Sequence, residues 1–366
     1  MLLFKIAVTQ ISGIGDITGK KLIELCGGVE AVFKESKQQL MKIPGIRETL
    51  VSSVIKGRDA ALKRAEKELE FIERFKITCF FYTDDDYPHR LKNCIDAPMM
   101  IYFKGNSDLN TSKILSIVGT RSATDYGKEC CQKIIEGLAD PEILIVSGLA
   151  HGIDTYTHKE ALKKDLKTVG VLAHGLDRIY PQVNRGLAQK MIEQGGLLTD
   201  FMSETIPDQE NFPKRNRIIA GLSDATIVIE AAKKGGALIT ADIANSYNRD
   251  VFAVPGKIGD KYSEGCNNFI KTNRAALIQS AEDIKYILGW DTGTKKELPV
   301  QRKLFIKLEP DEESIVNLLT VQNQMSVDGI CIELQIPTSR IAAALLNLEF
   351  EGIIKCMPGK MYALIE

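Results

Sequence analysis

The segment Ile114-Leu-Ser-Ile-Val-Gly-Thr-Arg-Ser122, with the helical segment 126–138 after it, predicts a strand, a turn and a helix in succession. The first five residues form a compact apolar run of strand length, and the glycine turn leads directly towards the helix. Further strand-like runs rich in β-branched residues lie at 143–146, 168–173, 226–229 and 251–254. Helical segments separate most of these runs, and such alternation is typical of a doubly wound sheet. We therefore expect an α/β fold with a mostly parallel sheet.

Two smaller regions flank the predicted sheet. Residues 1–75 read as short helices, in which Gly13-Ile-Gly15 and Pro44-Gly45-Ile46 each precede an amphipathic segment. These elements predict an all-α domain with tandem helix-hairpin-helix or SAM-like units, which either bind phosphates through backbone N–H groups or form a structural cap. The core is expected at 76–290. Residues 291–310 are polar and aperiodic and predict a linker, whereas 311–366 predict three helices and a hairpin, the outline of a winged helix.

Composition limits the classes of function. The 366-residue chain has a net charge of −1, so any binding of nucleic acid must come from local basic patches. Its eight cysteines include no C-x-x-C pair, and its four histidines lack metal-ligand spacing with them, so we expect neither a metal site nor a disulfide framework. The N-terminus lacks a signal-peptide pattern, and no apolar run is long enough to span a membrane. These features predict a cytoplasmic protein with no membrane partner.

Loops rich in glycine, hydroxyl and basic residues follow or precede the predicted strands. They lie at 119–122, 147–154, around Lys214 and at 233–240. In doubly wound sheets ligands bind beyond the carboxyl ends of the strands, where helix N-termini attract phosphate. No G-x-G-x-x-G follows the first strand, and no complete Walker loop is present, so we expect no nucleotide cofactor.

The basic segment Phe212-Pro-Lys-Arg-Asn-Arg-Ile-Ile-Ala-Gly-Leu222 is the most informative of these loops. Pro213 suits the first position of a helix. Helical spacing then puts Lys214, Arg217 and Gly221 on one face, and Arg215, Ile218, Ile219 and Leu222 on an apolar face. Cations in a first turn oppose the helix dipole. The basic face therefore either binds an anion or is simply solvated.

Several neighbouring residues allow two interpretations. Phe212 either stacks on an unpaired base or packs in the core. Arg121 contacts either a ligand or a surface carboxylate. Asp154 is a helix cap or a partner of an arginine, with a catalytic role as the lesser alternative. Thr240 either contacts the ligand or caps a helix, and Glu230 is placed to hold the basic cluster. No nucleophile–base pair has a spacing that supports catalysis.

Six motifs in order resemble those of the DprA/Smf family of DNA-processing proteins. They are Ser116-Ile-Val-Gly-Thr-Arg121, Val146-Ser-Gly-Leu-Ala-His-Gly-Ile-Asp154, Gly175-Leu-Asp-Arg-Ile-Tyr-Pro181, Asn211-Phe-Pro-Lys-Arg-Asn-Arg-Ile-Ile-Ala-Gly221, Gly236-Ala-Leu-Ile-Thr-Ala241 and Val251-Phe-Ala-Val-Pro-Gly256. The resemblance implies a Rossmann-like core and a non-catalytic protein that binds single-stranded DNA. It also implies a homodimer formed through the core, and loading of the RecA recombinase onto incoming DNA during natural transformation.

The resemblance and the loop pattern together predict a DNA- or phosphate-binding set. Its members are Gly119, Thr120, Arg121, Ser122, Ser147, Gly148, His151, Phe212, Lys214, Arg215, Asn216, Arg217, Gly235, Gly236 and Thr240. Two positions depart from the family pattern, because His151 stands where arginine is usual and Thr120 replaces a common serine. The core also resembles the nucleoside-monophosphate phosphoribohydrolases, which is the alternative function. That alternative is weakened because the glycine loop lacks its third glycine and offers only Asp242 as an acid.

Overall fold

Five helices form the N-terminal region of the computed structural model, which describes residues 1–43, 46–290 and 308–365. They are α1 (Leu2–Val8), α2 (Asp16–Cys26), α3 (Val29–Lys34), α4 (Lys37–Met41) and the long α5 (Glu48–Phe75). Gly27 ends α2 in a left-handed conformation that costs glycine little. The apolar faces of these helices pack around one core that includes Ile6, Leu22 and Val51. Of the two predicted hairpin motifs, Pro44-Gly45 lies outside the described residues.

A nine-stranded sheet follows. Its strands are β1 (Thr78–Phe81), β2 (Met100–Gly105), β3 (Lys113–Val118), β4 (Ile143–Ser147), β5 (Lys167–Val171), β6 (Gly195–Thr199), β7 (Ala225–Val228), β8 (Asp250–Ala253) and β9 (Ala276–Leu277). Their order is β1-β2-β6-β5-β4-β3-β7-β8-β9. The seven strands from β3 onward run parallel, and β1 and β2 extend one edge in antiparallel pairings. The prediction of a mostly parallel, doubly wound sheet is confirmed.

Helices cover both faces of the sheet because the buried strands are apolar on both faces. Ile114 and Val118 of β3 pack on one side, and Leu115 and Ile117 on the other. The helices of this region are α6 (His89–Lys92), α7 (Asp125–Gly137), α8 (Ile153–Lys163), α9 (Arg185–Glu193), α10 (Asn211–Leu222), α11 (Gly236–Ser246), α12 (Glu264–Lys271) and α13 (Ala281–Ile287), with a short 3-10 helix at Gln182–Asn184. Helix α10 begins two residues before Pro213. Proline is tolerated there because N–H groups of a first turn have no intrahelical acceptor.

The C-terminal residues form the predicted winged helix. Helices α14 (Pro310–Gln322), α15 (Val327–Leu334) and α16 (Thr338–Phe350) pack with a small sheet of β10 (Gln324–Ser326), β11 (Ile354–Met357) and β12 (Met361–Leu364). The turn between β11 and β12 contacts the core: the guanidinium of Arg249 donates to the carbonyl of Pro358, and the N–H of Gly359 donates to the carbonyl of Asn248. Residues 291–307, most of the predicted linker, lie outside the described residues.

The N-terminal helices are joined to the core by polar contacts. Asp16, the first residue of α2, accepts a hydrogen bond from the N–H of Met99 and forms an ion pair with Arg217 of α10. On α5, buried Glu68 accepts hydrogen bonds from the N–H and hydroxyl of Ser203. The segment that follows Gly13-Ile-Gly15 thus packs on the core.

Candidate nucleic-acid interface

A cavity of about 240 Å³ opens at the carboxyl ends of β3 and β7. Strand order reverses at this pair, since β3 has β4 on one side and β7 on the other. Ligands of doubly wound sheets bind at such switch points. Four chain segments from distant parts of the sequence line the cavity, at 118–121, 150–154, 212–219 and 231–240. Its charged lining residues are three cations, Arg121, Arg215 and Lys234, and one carboxylate, Asp154.

Backbone hydrogen bonds hold the 119–122 turn in place. The N–H of Thr120 donates to the carbonyl of Glu230 at 2.8 Å, and the carbonyl of Thr120 accepts from the N–H of Ile153 at 3.1 Å. The N–H of Ser122 donates to the Thr120 hydroxyl. A Cβ at Gly119 would overlap the side chain of Ile153, so glycine is needed here for close packing of two loops. This turn presents Arg121 to the cavity from a rigid support.

Arg121 lies over an aromatic ring. Its guanidinium carbon stands 5.1 Å from the ring centroid of Phe212, which is half-buried at the start of α10. Cation–π contacts at this distance are attractive and leave the N–H groups of arginine free to donate. Of the two interpretations of Phe212, core packing is ruled out as its whole role, because the ring lines the cavity.

Arg215 is the buried cation of the cavity. Its side chain is almost fully covered, and its Nη1 donates to the carbonyl of Val171 at 2.7 Å. Burial lowers the pKa of Arg215 to about 10, and Asp154 opposes that shift. Asp154 is also buried, which raises its pKa, while the charge of Arg215 lowers it. Asp154 and Arg215 therefore act on each other through charge, and the Asp154 carboxylate also accepts a hydrogen bond from the N–H of Ala150 at 3.4 Å.

Gly148 belongs to the same arrangement. A Cβ at this position would overlap the guanidinium of Arg215. Gly148 is also a predicted phosphate contact, and the absence of a side chain there leaves the space that the Arg215 guanidinium occupies. Buried His158 lies close enough for Arg215 to affect it, and burial together with this charge lowers the pKa of His158 to about 3.

The N-terminus of α11 forms another side of the larger cavity. Gly235 and Gly236 are exposed there, and no side chain in the described ranges caps the first N–H groups of the helix. Uncapped N–H groups and the helix dipole favour an anion. Asn216 and Thr240 both donate to the carbonyl of Gly236, at 3.4 and 3.1 Å, so Thr240 does not act as an N-cap.

A second, smaller depression adjoins the first. It has a volume of about 20 Å³ and shares Arg121 and Phe212 with the larger cavity. Gly148 and exposed His151 line it, together with His174, Tyr180 and others. Tyr180 belongs to the motif at 175–181 but is not among the predicted site residues. An aromatic residue in a loop after a parallel strand was the signal that could have identified it.

Nine of the predicted residues therefore line the larger cavity: Gly119, Thr120, Arg121, Phe212, Arg215, Asn216, Gly235, Gly236 and Thr240. Lys234 also lines it; the sequence pattern identifies the loop at 233–240 but does not single out this residue. Gly148 and His151 line the smaller depression. Ser122 and Lys214 are exposed but line neither space. Ser147 is fully buried, and its hydroxyl donates to the carbonyl of Ile117.

Arg217 is placed differently from its prediction. It points towards the N-terminal helices and pairs with Asp16 at 2.9 Å and with Asp200 at 2.8 Å. Burial disfavours its charge, yet the two carboxylates together raise the pKa of Arg217. The basic face expected from Lys214 and Arg217 is therefore neutralised at Arg217, because that side of α10 meets Asp16 of the N-terminal helices and Asp200 of the loop after β6.

Glu230 has a local structural role. Its carboxylate accepts hydrogen bonds from the N–H and hydroxyl of Thr124, the N-cap of α7.

Within the described ranges, no group of three or more His, Cys, Asp and Glu side chains is arranged to hold a metal. No single described helix has the length and apolar composition to cross a membrane. Helices α15 and α16 have them only when taken together, and that pair is bent by 117°.

Comparison with known proteins agrees with this architecture. The family model of DNA recombination-mediator protein A matches residues 78–289, and the DprA winged helix domain matches residues 306–360. Protein Smf of Synechocystis is 32% identical over 394 residues, covering 98% of this chain and 97% of the relative. DNA processing protein DprA of Streptococcus pneumoniae is 36% identical over 262 residues, covering 68% of this chain and 92% of the relative.

Two of the solved structures that are similar to this one are DNA-processing proteins. The X-ray structure of DprA from Streptococcus pneumoniae gives a TM-score of 0.68 at 34% identity and covers 78% of this chain and 98% of that one. The structure of DNA processing protein A from Helicobacter pylori is described for its single-stranded DNA binding mode. It gives a TM-score of 0.54 at 28% identity and covers 59% of this chain and 97% of that one. The sequence matches extend over nearly the whole chain, and the protein belongs to the DprA/Smf family of DNA-processing proteins.

Proposed function

We propose that this protein binds single-stranded DNA with little sequence preference through the cavity at the carboxyl ends of β3 and β7. Bound in this way, it protects incoming DNA and loads the RecA recombinase onto it during natural transformation. The family membership and the single-stranded DNA binding described for the Helicobacter pylori protein support this role. The observation that carries the proposal is the contact of Arg121 with Phe212 in that cavity.

The cavity combines the two kinds of contact that a single strand offers. Arg121, Lys234 and the uncapped start of α11 provide positive charge and N–H donors for phosphate oxygens. Phe212 provides an apolar surface for an unpaired base. Neither contact reads the edge of a base, so the expected binding depends weakly on sequence.

The other predicted contacts enter the proposal with different roles. Exposed Lys214, on the first turn of α10, adds a phosphate contact outside the cavity. Arg215 shapes the floor and adds charge from below. Arg217 is excluded from the contact set because two carboxylates already pair with it. A homodimer through the core remains part of the proposal and is tested by sedimentation.

The enzymatic alternative fits this cavity less well. Asp242, the acid offered by the glycine loop, pairs with Arg274 and is not among the residues that line the cavity. Asp154, which does line it, is engaged by the charge of Arg215. Incubation with nucleoside monophosphates tests the alternative, since release of free base would support a phosphoribohydrolase.

Binding is tested by fluorescence anisotropy with labelled oligonucleotides over a series of salt concentrations. Single strands of different sequence should bind alike. Arg121→Ala should weaken binding about tenfold or more, the effect of losing a charged hydrogen bond. It should also reduce the slope of log K against log salt by about 0.7 per lost phosphate contact. Arg74→Ala, an exposed arginine near the end of α5, is the matched control. Unchanged affinity and slope for Arg121→Ala would contradict the proposal.

RecA loading requires its own assay. Single-stranded DNA coated with single-strand-binding protein inhibits assembly of RecA, and the wild-type protein should restore strand exchange. Arg121→Ala should restore it only at higher protein concentration. If Arg121→Ala restores strand exchange at the concentration that suffices for wild type, RecA loading does not depend on this cavity.

A further inference from the structure

An exposed aromatic ring, that of Tyr180, lies next to the proposed DNA-binding cavity but is not among the residues that line it. Tyr180 is 48% exposed, and its ring centroid lies 6.1 Å from that of Phe212. It forms part of the rim of the smaller depression, which also contains Arg121 and His151. A volume of about 20 Å³ is too small to enclose a base. Any base at this position must therefore lie against the rim, where the exposed ring of Tyr180 is available.

The loop that carries Tyr180 is held from below by a buried histidine. The N–H of Tyr180 donates to Nε2 of His174 at 3.2 Å, and Nδ1 of His174 lies 2.9 Å from the carbonyl of Gly175. A carbonyl only accepts, so Nδ1 carries the proton and Nε2 is the acceptor. Burial lowers the pKa of His174 and so favours this neutral form. Pro181, the next residue, is buried. The ring is therefore exposed although its backbone is fixed.

We propose that Tyr180 is a second stacking platform, which holds the base of the nucleotide next to the one on Phe212. This inference rests on the proposed binding of single-stranded DNA. Arg121 lines both spaces and lies over the Phe212 ring, so its guanidinium is available to the phosphate that joins the two nucleotides. Stacking on an aromatic ring is tolerant of sequence because every base has a π-face.

The geometry of the two rings favours a single strand over a duplex. The Tyr180 and Phe212 rings are inclined by 54° and their centroids are 6.1 Å apart. Bases in a duplex stay stacked about 3.4 Å apart along each strand. Two bases on these platforms must be separated and tilted, which an unpaired strand allows and a base-paired strand resists. Tyr180 thus contributes to the choice of single-stranded DNA.

The first experiment compares variants of Tyr180 in single-strand binding. Tyr180→Ala should weaken binding about fivefold or more, whereas Tyr180→Phe, which keeps the ring, should stay within about twofold of wild type. Both variants should keep the wild-type salt slope, since stacking releases no counterions. Tyr286→Ala, which removes a tyrosine that is 79% exposed on α13, is the matched control.

The second experiment changes the DNA and leaves the protein intact. A single abasic site is moved along an oligonucleotide held at one register by a terminal duplex. Wild type should show two neighbouring positions where loss of the base weakens binding, and Tyr180→Ala should lose one of them. This scan tests the proposal even if a variant of Tyr180 folds poorly.

The outcomes separate this inference from the proposed function. If wild type binds single strands with the expected salt slope but Tyr180→Ala binds equally well, the platform is refuted and the proposed function stands. A single sensitive position in the abasic scan, or an altered salt slope for Tyr180→Ala, also refutes the platform. If wild type binds no single-stranded DNA, the proposed function fails and this inference fails with it.

Discussion

Replacing Arg217 should destabilise the protein without changing its contacts with DNA phosphates. Arg217→Ala removes ion pairs to Asp16 and Asp200 and a hydrogen bond to the carbonyl of Asp96. The Asp200 side chain is only 10% exposed, so its charge is left buried without compensation, whereas Asp16 is 25% exposed and water can reach it. Breaking a buried pair typically costs about 3–5 kcal/mol, and we expect about 3 because of the partial exposure.

Urea denaturation followed by circular dichroism at pH 7 measures this loss. Lys214→Ala, one turn earlier on the same helix and exposed, should change the free energy of unfolding by no more than about 0.5 kcal/mol. Adding Asp200→Asn to Arg217→Ala should recover part of the loss, because it removes the stranded charge. A wild-type unfolding curve for Arg217→Ala, combined with a lower salt slope in DNA binding, would refute this reasoning and return Arg217 to the DNA-contact set.

Three further predictions follow from other buried contacts. Gly148→Ala should cost about 1–3 kcal/mol of stability by overpacking Arg215, and it should weaken DNA binding as well; a fully stable variant would refute the assigned role of Gly148. The pKa of His158 is about 3 in the folded protein and 6.5 in the unfolded chain, so the free energy of unfolding should fall as pH drops below 6.5. The loss should be at most about 1.4 kcal/mol per pH unit. His158→Leu should remove this part of the loss when both proteins are denatured over the same pH series. Arg249→Ala should speed amide exchange at Gly359 by loosening the β11–β12 turn, and unchanged exchange would show that the turn is held by other contacts.

Patterns within short stretches of sequence predicted most of the fold. The β-branched runs at 114–118 and 143–146 became β3 and β4, since such runs are long enough for buried parallel strands. Because parallel strands end at one edge of a sheet, the loop positions followed from the strand assignment. The meeting of Arg121 with Gly235 and Gly236 at one cavity was therefore predictable.

The partners of individual charges were not predictable in the same way. Helical spacing placed Arg215 on an apolar face, but it did not identify Arg215 as the arginine whose charge acts on Asp154, or the space at Gly148 that its guanidinium occupies. It also grouped Arg217 with Lys214, although Arg217 pairs with Asp16, which lies 201 positions away. The pair of Arg217 with Asp16 depends on how the N-terminal helices dock on the core. Periodicity within one helix contains no information about that docking.

Photocrosslinking tests the central claim most directly. A single-stranded oligonucleotide with 5-iodouracil at successive positions is bound to the wild-type protein and irradiated, and the modified peptides are identified by mass spectrometry. Stacked aromatic residues react most readily, so the account predicts adducts on Phe212, with neighbouring positions reacting at Tyr180. Adducts confined to the winged helix or to the N-terminal helices, with none on the peptide that contains Phe212, would contradict it.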